Sequence, residues 1–426
     1  MSSLELLKTK RFAPLFAVQF LGAFNDNIFK NTFTILVTFH AAAWTTLPLD
    51  ILAPLIGAIF ILPFFIFSGL AGALADKYDK ARLARYVKLL ELILMIVATI
   101  GFSLHSFYLL LVVVFGMGLH STLFGPIKYA ILPQHMKEEE LVGANALVES
   151  GTFVAILLGT LGGGLLASFS YGGIMAGVGG IIIALIGYLC SRFIPKAPSL
   201  DPQMAISYNL FSQMFYTLKL AYRNQIVFLS IIAISIFWFY GALLLAQLPA
   251  FVKVVLKGDE TIVTLLLSVF TIGIGVGSFL CEKLSHHQIR PVLIMIGAIG
   301  MSVFGIIFAK SAADFLPSQT LLANLAFWYI LADLLFIALF AGLFSVPLYT
   351  IMQSYANVEF RSRIIAANNI LNALFMVLSA IMTMILLDKH ISMSTIFFIA
   401  ALIVGVIGGG ISLVITKRIK KQQEVF

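Results

Sequence analysis

The chain has 426 residues, of which 61% are hydrophobic and 11% charged. A soluble domain carries about 25% charged residues, and no water-soluble fold of this length has interior enough for so much apolar surface, so lipid is the expected solvent. The net charge of +8 does not mark a nucleic-acid surface, because the basic residues sit in short connections between apolar runs, and two cysteines, Cys190 and Cys281, are too few for a disulfide framework or a metal motif.

A bilayer-spanning helix needs roughly 20 apolar residues. Twelve runs qualify, at 12–39, 51–75, 83–104, 107–132, 142–169, 173–193, 225–252, 262–281, 291–308, 321–352, 364–387 and 392–416. The expectation is an all-α integral membrane protein with twelve transmembrane helices.

The first run follows Lys8, Lys10 and Arg11, as a signal peptide would, but it is too long for one and reads as a retained helix. It holds Gln19, Asn25, Asp26, Asn27, Lys30 and Asn31. Asp26 and Lys30 are i,i+4 neighbours, as are Asn27 and Asn31. An ionisable group inside a span is costly unless paired or hydrated. Two readings follow: a self-neutralising pair at a helix interface, or one wall of a hydrated cavity that meets a charged headgroup.

The connection after the second run reads Gly72-Ala73-Leu74-Ala75-Asp76-Lys77-Tyr78-Asp79-Lys80-Ala81-Arg82. It resembles the major facilitator signature Gly-x-Leu-Ala-Asp-Arg-x-Gly-Arg-Lys/Arg at Gly72, Leu74, Asp76, Lys77, Lys80 and Arg82. Asp79 stands where that signature prefers glycine, so a different turn is expected. Gly72 permits close helix approach, and Asp76 is placed to cap a helix or pair with a cation. In the family such a connection latches two halves in one state.

The fourth run ends on Gly125-Pro126-Ile127-Lys128-Tyr129. Pro126 is expected to break the helix and free backbone groups beside a cavity. Lys128 is either a phosphate-binding point charge or a side chain snorkelling to the interface. In the fifth run Asn145 and Glu149 share a face, and Gly159-Thr160-Leu161-Gly162-Gly163-Gly164 reads as a packing seam. Later runs add Gln247, Asp333, Asn368, Asn369 and Asn372. Asp333 is either a cavity acid or one end of a helix–helix hydrogen bond.

The longest polar connection, 194–224, carries Pro195, Pro198 and Pro202 and divides the runs six and six. Three segments follow: an N-terminal half at 1–193, a linker at 194–224 and a C-terminal half at 225–426. The halves echo one another: Ala144-Asn145 and Glu149 in one answer Ala367-Asn368 and Asn372 in the other. Parallel repeats of this kind describe six-plus-six transporters. Of the 27 Lys and Arg, 22 fall on the side that carries both termini, four on the other, and Lys30 within a span. That bias puts both termini in the cytoplasm.

No nucleotide-binding loop, nucleophile elbow or metal-spaced His/Cys cluster is present, so no enzyme and no cofactor is expected. His286-His287 reads as a solvated loop.

Ala23-Phe24-Asn25-Asp26-Asn27, Ala75-Asp76, Gly125-Pro126-Ile127-Lys128-Tyr129-Ala130-Ile131-Leu132, Ala144-Asn145-Ala146-Leu147-Val148-Glu149-Ser150 and Ile156-Leu157-Leu158-Gly159 together resemble the bacterial lysophospholipid transporter family. They are also similar to the transporter half of fused transporter–acyltransferase proteins. The resemblance covers the first half well, to about Gly164, and is general beyond the linker. It implies a major facilitator fold of two six-helix halves in the bacterial inner membrane. It further implies a flippase that moves lysophosphatidylethanolamine-like lipids from the outer to the inner leaflet by alternating access, working as a monomer beside a cytoplasmic acyltransferase. Carried onto this sequence, Asp26 and Asn27 would meet the headgroup or gate the cavity, Lys128 would be the cationic site and Glu149 its partner. Lys30 departs from the apolar residue expected there. Asp26 and Glu149 are the acids available for proton coupling. Two rival readings are a facilitator for another amphiphile or a siderophore, and a membrane scaffold or sensor that transports nothing.

Overall fold

The computed structural model describes residues 3–39, 44–47, 49–199, 201–286, 288–316 and 321–423. Among them every regular element is helical. A short α1 (Ser3–Leu6) precedes α2 (Ala13–Phe39), α3 (Leu49–Lys77), α4 (Lys80–Ser103), α5 (Phe107–His135), α6 (Leu141–Ala167) and α7 (Gly172–Ser191). The connection that follows folds into α8 (Leu210–Arg223), and α9 (Gln225–Phe251) continues into a π-helical turn, Val252–Leu256. Next come α10 (Glu260–Ser285), α11 (Val292–Ala313), α12 (Leu325–Tyr355), α13 (Arg361–Asp388), and α14 (Met393–Ile403), which joins α15 (Gly409–Gln423) through a second π segment, Val404–Gly408.

Eleven of the described helices have both the length and the hydropathy of a membrane span. With α2, whose 27 residues include the Asn/Asp/Lys stripe, lipid-length helices number twelve. Lipid leaves a backbone no partner but itself, which is why every span is a helix. Pro126 does not break its helix, contrary to expectation: α5 runs through Pro126 and Pro133 to His135, and α12 runs through Pro347. One missing N–H per proline is tolerated where neighbouring helices shield the freed carbonyl. The polar connection at 194–224 is not all loop, since α8 fills its second half. His287 lies outside the described residues, and His286 caps α10 in a left-handed conformation, φ 49°.

Packing divides the chain into two compact units. The first comprises Met1–Glu138, Val154–Arg223 and Ala356–Ile370, the second Glu139–Phe153, Asn224–Tyr355 and Leu371–Phe426. In the first unit α2 and α4 pack on α7, while α3 and α4 pack on α5. A wholly apolar core closes one end of α2, where Phe29, Phe33, Phe102 and Phe107 meet, with ring centres 5.8–6.3 Å apart. In the second unit α12 is central and contacts α9, α10 and α11.

Helix α8 is oriented unusually. Gln213, Thr217, Leu220 and Ala221 are buried, whereas Phe211, Phe215, Lys219 and Tyr222 are exposed. Its backbone lies so close to α3 that a Cβ on Gly69 would stand 3.0 Å from the Gln213 carbonyl carbon. The small and polar face therefore seats on α3, and the aromatic face points away from the protein.

Candidate functional site

The polar stripe on α2 splits between two seams of the first unit. Asn27 and Asn31 turn towards α6. Asn27 Nδ2 donates to the Ala23 carbonyl at 2.8 Å, and Asn31 Nδ2 donates to the Asn27 carbonyl at 2.8 Å and to Thr160 Oγ1 at 3.2 Å. Thr32 Oγ1 donates to the Gly163 carbonyl at 3.0 Å. A Cβ on Gly159 would lie 2.7 Å from the Phe24 carbonyl oxygen, and one on Gly163 2.8 Å from that of Ile28. The glycine run is thus a packing seam, and these amides are satisfied at a helix interface.

Asn25 and Asp26 turn the other way, into a charged cluster held by α2, α4, α5 and α7. Asn25 Nδ2 donates to Glu91 Oε1 at 2.7 Å and to the Gly180 carbonyl at 3.2 Å. Glu91, which is fully buried, is bonded to the ammonium of Lys88, one turn earlier on α4. His120 on α5 stands between two carboxylates, with Nε2 3.1 Å from Glu91 Oε2 and Nδ1 4.0 Å from Asp26 Oδ1. The Nδ1 contact is too long for a hydrogen bond and the Nε2 contact is not aligned for one, so both ring nitrogens and Asp26 Oδ1 lack a hydrogen-bond partner among the described residues. Ser121 Oγ donates to Asp26 Oδ2. Room for these groups comes from α7: a Cβ on Gly180 would meet Asn25 Oδ1 at 2.9 Å, and one on Gly187 would meet Lys88 Cε at 2.4 Å.

Lys88, Glu91 and His120 do not figure in the sequence reading as site residues. By sequence Lys88 counts only among the 22 cations on the side of the termini; the structure holds it inside the helix layer through its partner Glu91. The signal was present, as an opposite-charge i,i+3 pair within a span and a histidine mid-span are intramembrane ionisable groups. The self-neutralising pair, one of the two readings of Asp26 and Lys30, is not closed: the Lys30 ammonium lies over the Phe60 ring, 4.8 Å from the centre.

Farther along α5, Lys128 lies over the Tyr129 ring at 4.7 Å. Its position eight residues beyond His120 corresponds to about 12 Å of helix. On α13, Asn368 is fully buried and neither amide atom has a hydrogen-bond partner among the described residues, while Asn369 packs on Gly125, where a Cβ would lie 2.5 Å from Nδ2.

The signature connection is anchored by α13. Asp76 Oδ1 accepts from the Ser362 N–H at 2.9 Å, and Oδ2 accepts from Arg363 N–H at 3.3 Å and from Arg363 Nε at 2.9 Å. A carboxylate facing the first N–H groups of a helix satisfies donors the helix cannot. Gly72 is needed here, because a Cβ would stand 2.6 Å from that of Ala366 and 2.9 Å from Arg363 Cα. Lys77 lies 6.0 Å from the Tyr78 ring centre, Lys80 is buried and Arg82 is exposed. Asp79 caps α4 at φ −60°, accepting from the Arg82 N–H at 2.8 Å and the Ala197 N–H at 3.1 Å. That φ needs no glycine, and a capping carboxylate suits the position better.

The remaining expected residues, Asn145, Glu149 and Asn372, belong to the second unit. Asn145 and Gln353 exchange amide bonds, Asn145 Nδ2 to Gln353 Oε1 at 2.7 Å and Gln353 Nε2 to Asn145 Oδ1 at 3.1 Å. Asn145 also donates to Thr350 Oγ1 at 3.2 Å. Asn372 Oδ1 accepts from Ser235 at 3.0 Å, and Glu149 is buried. Trp238, given no role from sequence, stacks on Phe153 at 6.2 Å and donates to Tyr349 Oη at 3.2 Å. Asp333 accepts from Ser311 at 3.0 Å, the helix–helix reading of the two left open.

Twelve lipid-length helices, the anchored signature connection and a charged cluster at mid-helix depth define a facilitator-type membrane protein. Residues 15–380 match the Major Facilitator Superfamily, and the chain belongs to it. It is similar to the lysophospholipid transporter LplT of Enterobacter sp. (strain 638), with 27% identity over 355 residues, 82% of this chain and 81% of that one. A similar match joins it to LplT of Citrobacter koseri, 28% identical over 353 residues, 81% of this chain and 80% of that one. In fold it is similar to a bacterial homologue of the iron transporter ferroportin in an outward-facing state (13% identity, TM-score 0.69, 93% of this chain and 99% of that one). It is also similar to the E. coli fucose:proton symporter FucP (14% identity, TM-score 0.72, 95% and 98%).

Proposed function

We propose that this chain is a secondary transporter that moves lysophospholipids from the outer to the inner leaflet of a bacterial inner membrane. The observation that carries the reading is its likeness, over about four fifths of both chains, to proteins named lysophospholipid transporters. The chemistry of the cargo agrees. A single-chain lipid needs polar partners for its phosphate and amine and an apolar path for its chain. Unaided, the headgroup would meet the burial cost of a charge in hydrocarbon. Asn25, Asp26 and Lys128 on α2 and α5 offer such partners, and Asn145, Glu149, Asn368 and Asn372 supply further polar groups. Segments 1–193 and 225–426 act as two halves that rock about the site, joined by 194–224, with both termini in the cytoplasm. The Asp76 connection latches one state. The transporter works as a monomer, and a cytoplasmic acyltransferase consumes its product.

The test is uptake of labelled lysophosphatidylethanolamine into proteoliposomes by the parent, Asp26→Ala and Lys128→Ala at equal incorporation. Uptake by the parent that each substitution lowers at least tenfold supports the reading. A parent no better than empty vesicles refutes it, and siderophores and other amphiphiles are then the cargo to try.

A further inference from the structure

His120, Lys88 and Glu91 are given no part in holding the headgroup, yet with Asp26 and Lys30 they place five ionisable groups at mid-span. Three helices packed around the imidazole bear on it. From α2 come Asp26 and, one turn on, Lys30; from α4 come Lys88 and Glu91; α5 adds only the Ser121 hydroxyl, and α7 presents glycines and a carbonyl. Among the described residues no titratable side chain of α3 pairs with the ring. Lys88 offsets Glu91, and Lys30 offsets Asp26. With a neutral imidazole the cluster therefore sums to zero charge, the least costly state for groups out of water.

That neutral state has one definite gap. With the imidazole proton on Nε2, 3.1 Å from Glu91 Oε2, Nδ1 is bare and lies 4.0 Å from Asp26 Oδ1, and neither of these two atoms has a hydrogen-bond partner among the described residues. Two buried acceptor atoms without partners, 4.0 Å apart, are a place for one proton once the side chains close to hydrogen-bond distance. From this geometry, and resting on the transport reading above, we infer that His120 is the proton-carrying residue of the transporter. One proton taken up between Nδ1 and Asp26 Oδ1 travels with each phosphate-bearing substrate. The proton enters on Asp26, is shared with His120 while the Glu91 carboxylate lies beside the other ring nitrogen, and leaves by way of Asp26 again. Glu91 and Lys88 are positioning residues. The added proton gives the cluster a charge of +1, which an anionic phosphate nearby restores to zero. Each therefore tightens binding of the other, as reciprocal linkage requires.

Two measurements test this. In the first, purified parent and His120→Gln are titrated from pH 8 to 5.5 in weak buffer and the protons bound per chain are counted. The parent is expected to bind one more than the variant, and equal counts overturn the inference whatever the cargo is. In the second, proteoliposomes holding the parent take up lysophosphatidylethanolamine with and without an interior one pH unit more alkaline. Accumulation should rise by about tenfold, the ratio one proton per substrate sustains, and His120→Gln should show no rise. Uptake by the parent that ignores the gradient overturns the inference even if the variant does not fold. A parent that moves no lysolipid at all refutes the transport reading instead, and the proton count then decides the role of His120 alone.

Discussion

Arg363 Nε donates to Asp76 Oδ2 at 2.9 Å across 287 positions of sequence, and both side chains are buried. The same carboxylate takes the N–H groups of Ser362 and Arg363, so one acid satisfies a guanidinium and a helix start together. Asp76→Ala leaves a buried cation and two amides without their acceptor. Removing one partner of a buried pair costs about 3–5 kcal/mol. A clear fall in melting temperature in detergent is therefore expected, smaller for Asp76→Asn, and an unchanged melt for Asp76→Ala would show that the contact carries no stability.

Gly72→Ala brings a methyl against the Ala366 Cβ and the Arg363 backbone, none of which is the loose end of a side chain. Overpacking of this kind costs about 1–3 kcal/mol. Lower yield of folded protein and a lower melting temperature should follow, whereas Gly57→Ala, which meets nothing within 4 Å, should behave as the parent. Equal behaviour of the two variants would contradict the close approach.

Glu91→Leu strands the Lys88 ammonium at mid-span. Breaking the pair from one side should cost more than removing both charges, because the penalty is the orphaned ion. The double variant Lys88→Leu/Glu91→Leu is expected to melt above Glu91→Leu alone. Additive losses in this cycle would mean that the two residues act independently.

The signs of order that sequence makes readable are those set by lipid. Span lengths, the stripe on α2 and the importance of Gly72 and Asp76 all follow from local pattern. What stayed hidden depends on distant partners. Nothing near Asp76 in sequence names Arg363 as its cation, and nothing near Asn145 names Gln353. Lys88 and Glu91 were legible as a pair but were masked by a run of loop cations just before them, Lys77, Lys80, Arg82 and Arg85. Of the two readings of the stripe, the Asp26–Lys30 contact does not form: Asp26 faces α5, where Ser121 and His120 wait, while the longer Lys30 reaches the Phe60 ring on α3.

Asn145 and Gln353 form a reciprocal amide pair that no other residue type reproduces. Gln353→Leu leaves Asn145 Oδ1 without its donor in a fully buried place, while Nδ2 keeps the Leu141 carbonyl and Thr350 Oγ1. The loss should be about 1–3 kcal/mol, and coupling between Asn145→Leu and Gln353→Leu in a thermal double-mutant cycle should be evident. Zero coupling would dissolve the pair.

Helix α8 gives the middle of the chain a property that a loop would lack. Phe211, Phe215 and Tyr222 project outward while the opposite face is fastened to α3, so in a bilayer the aromatic side has acyl chains and headgroups as its surroundings. The free length of the connection then shrinks to the extended, polar stretch just before residue 210. A protease added to open membrane fragments should nick the chain there and spare the segment from Leu210 to Arg223. Lengthening that stretch should be tolerated, whereas one extra residue within α8 would rotate its aromatics onto α3 and its glutamine and threonine into lipid.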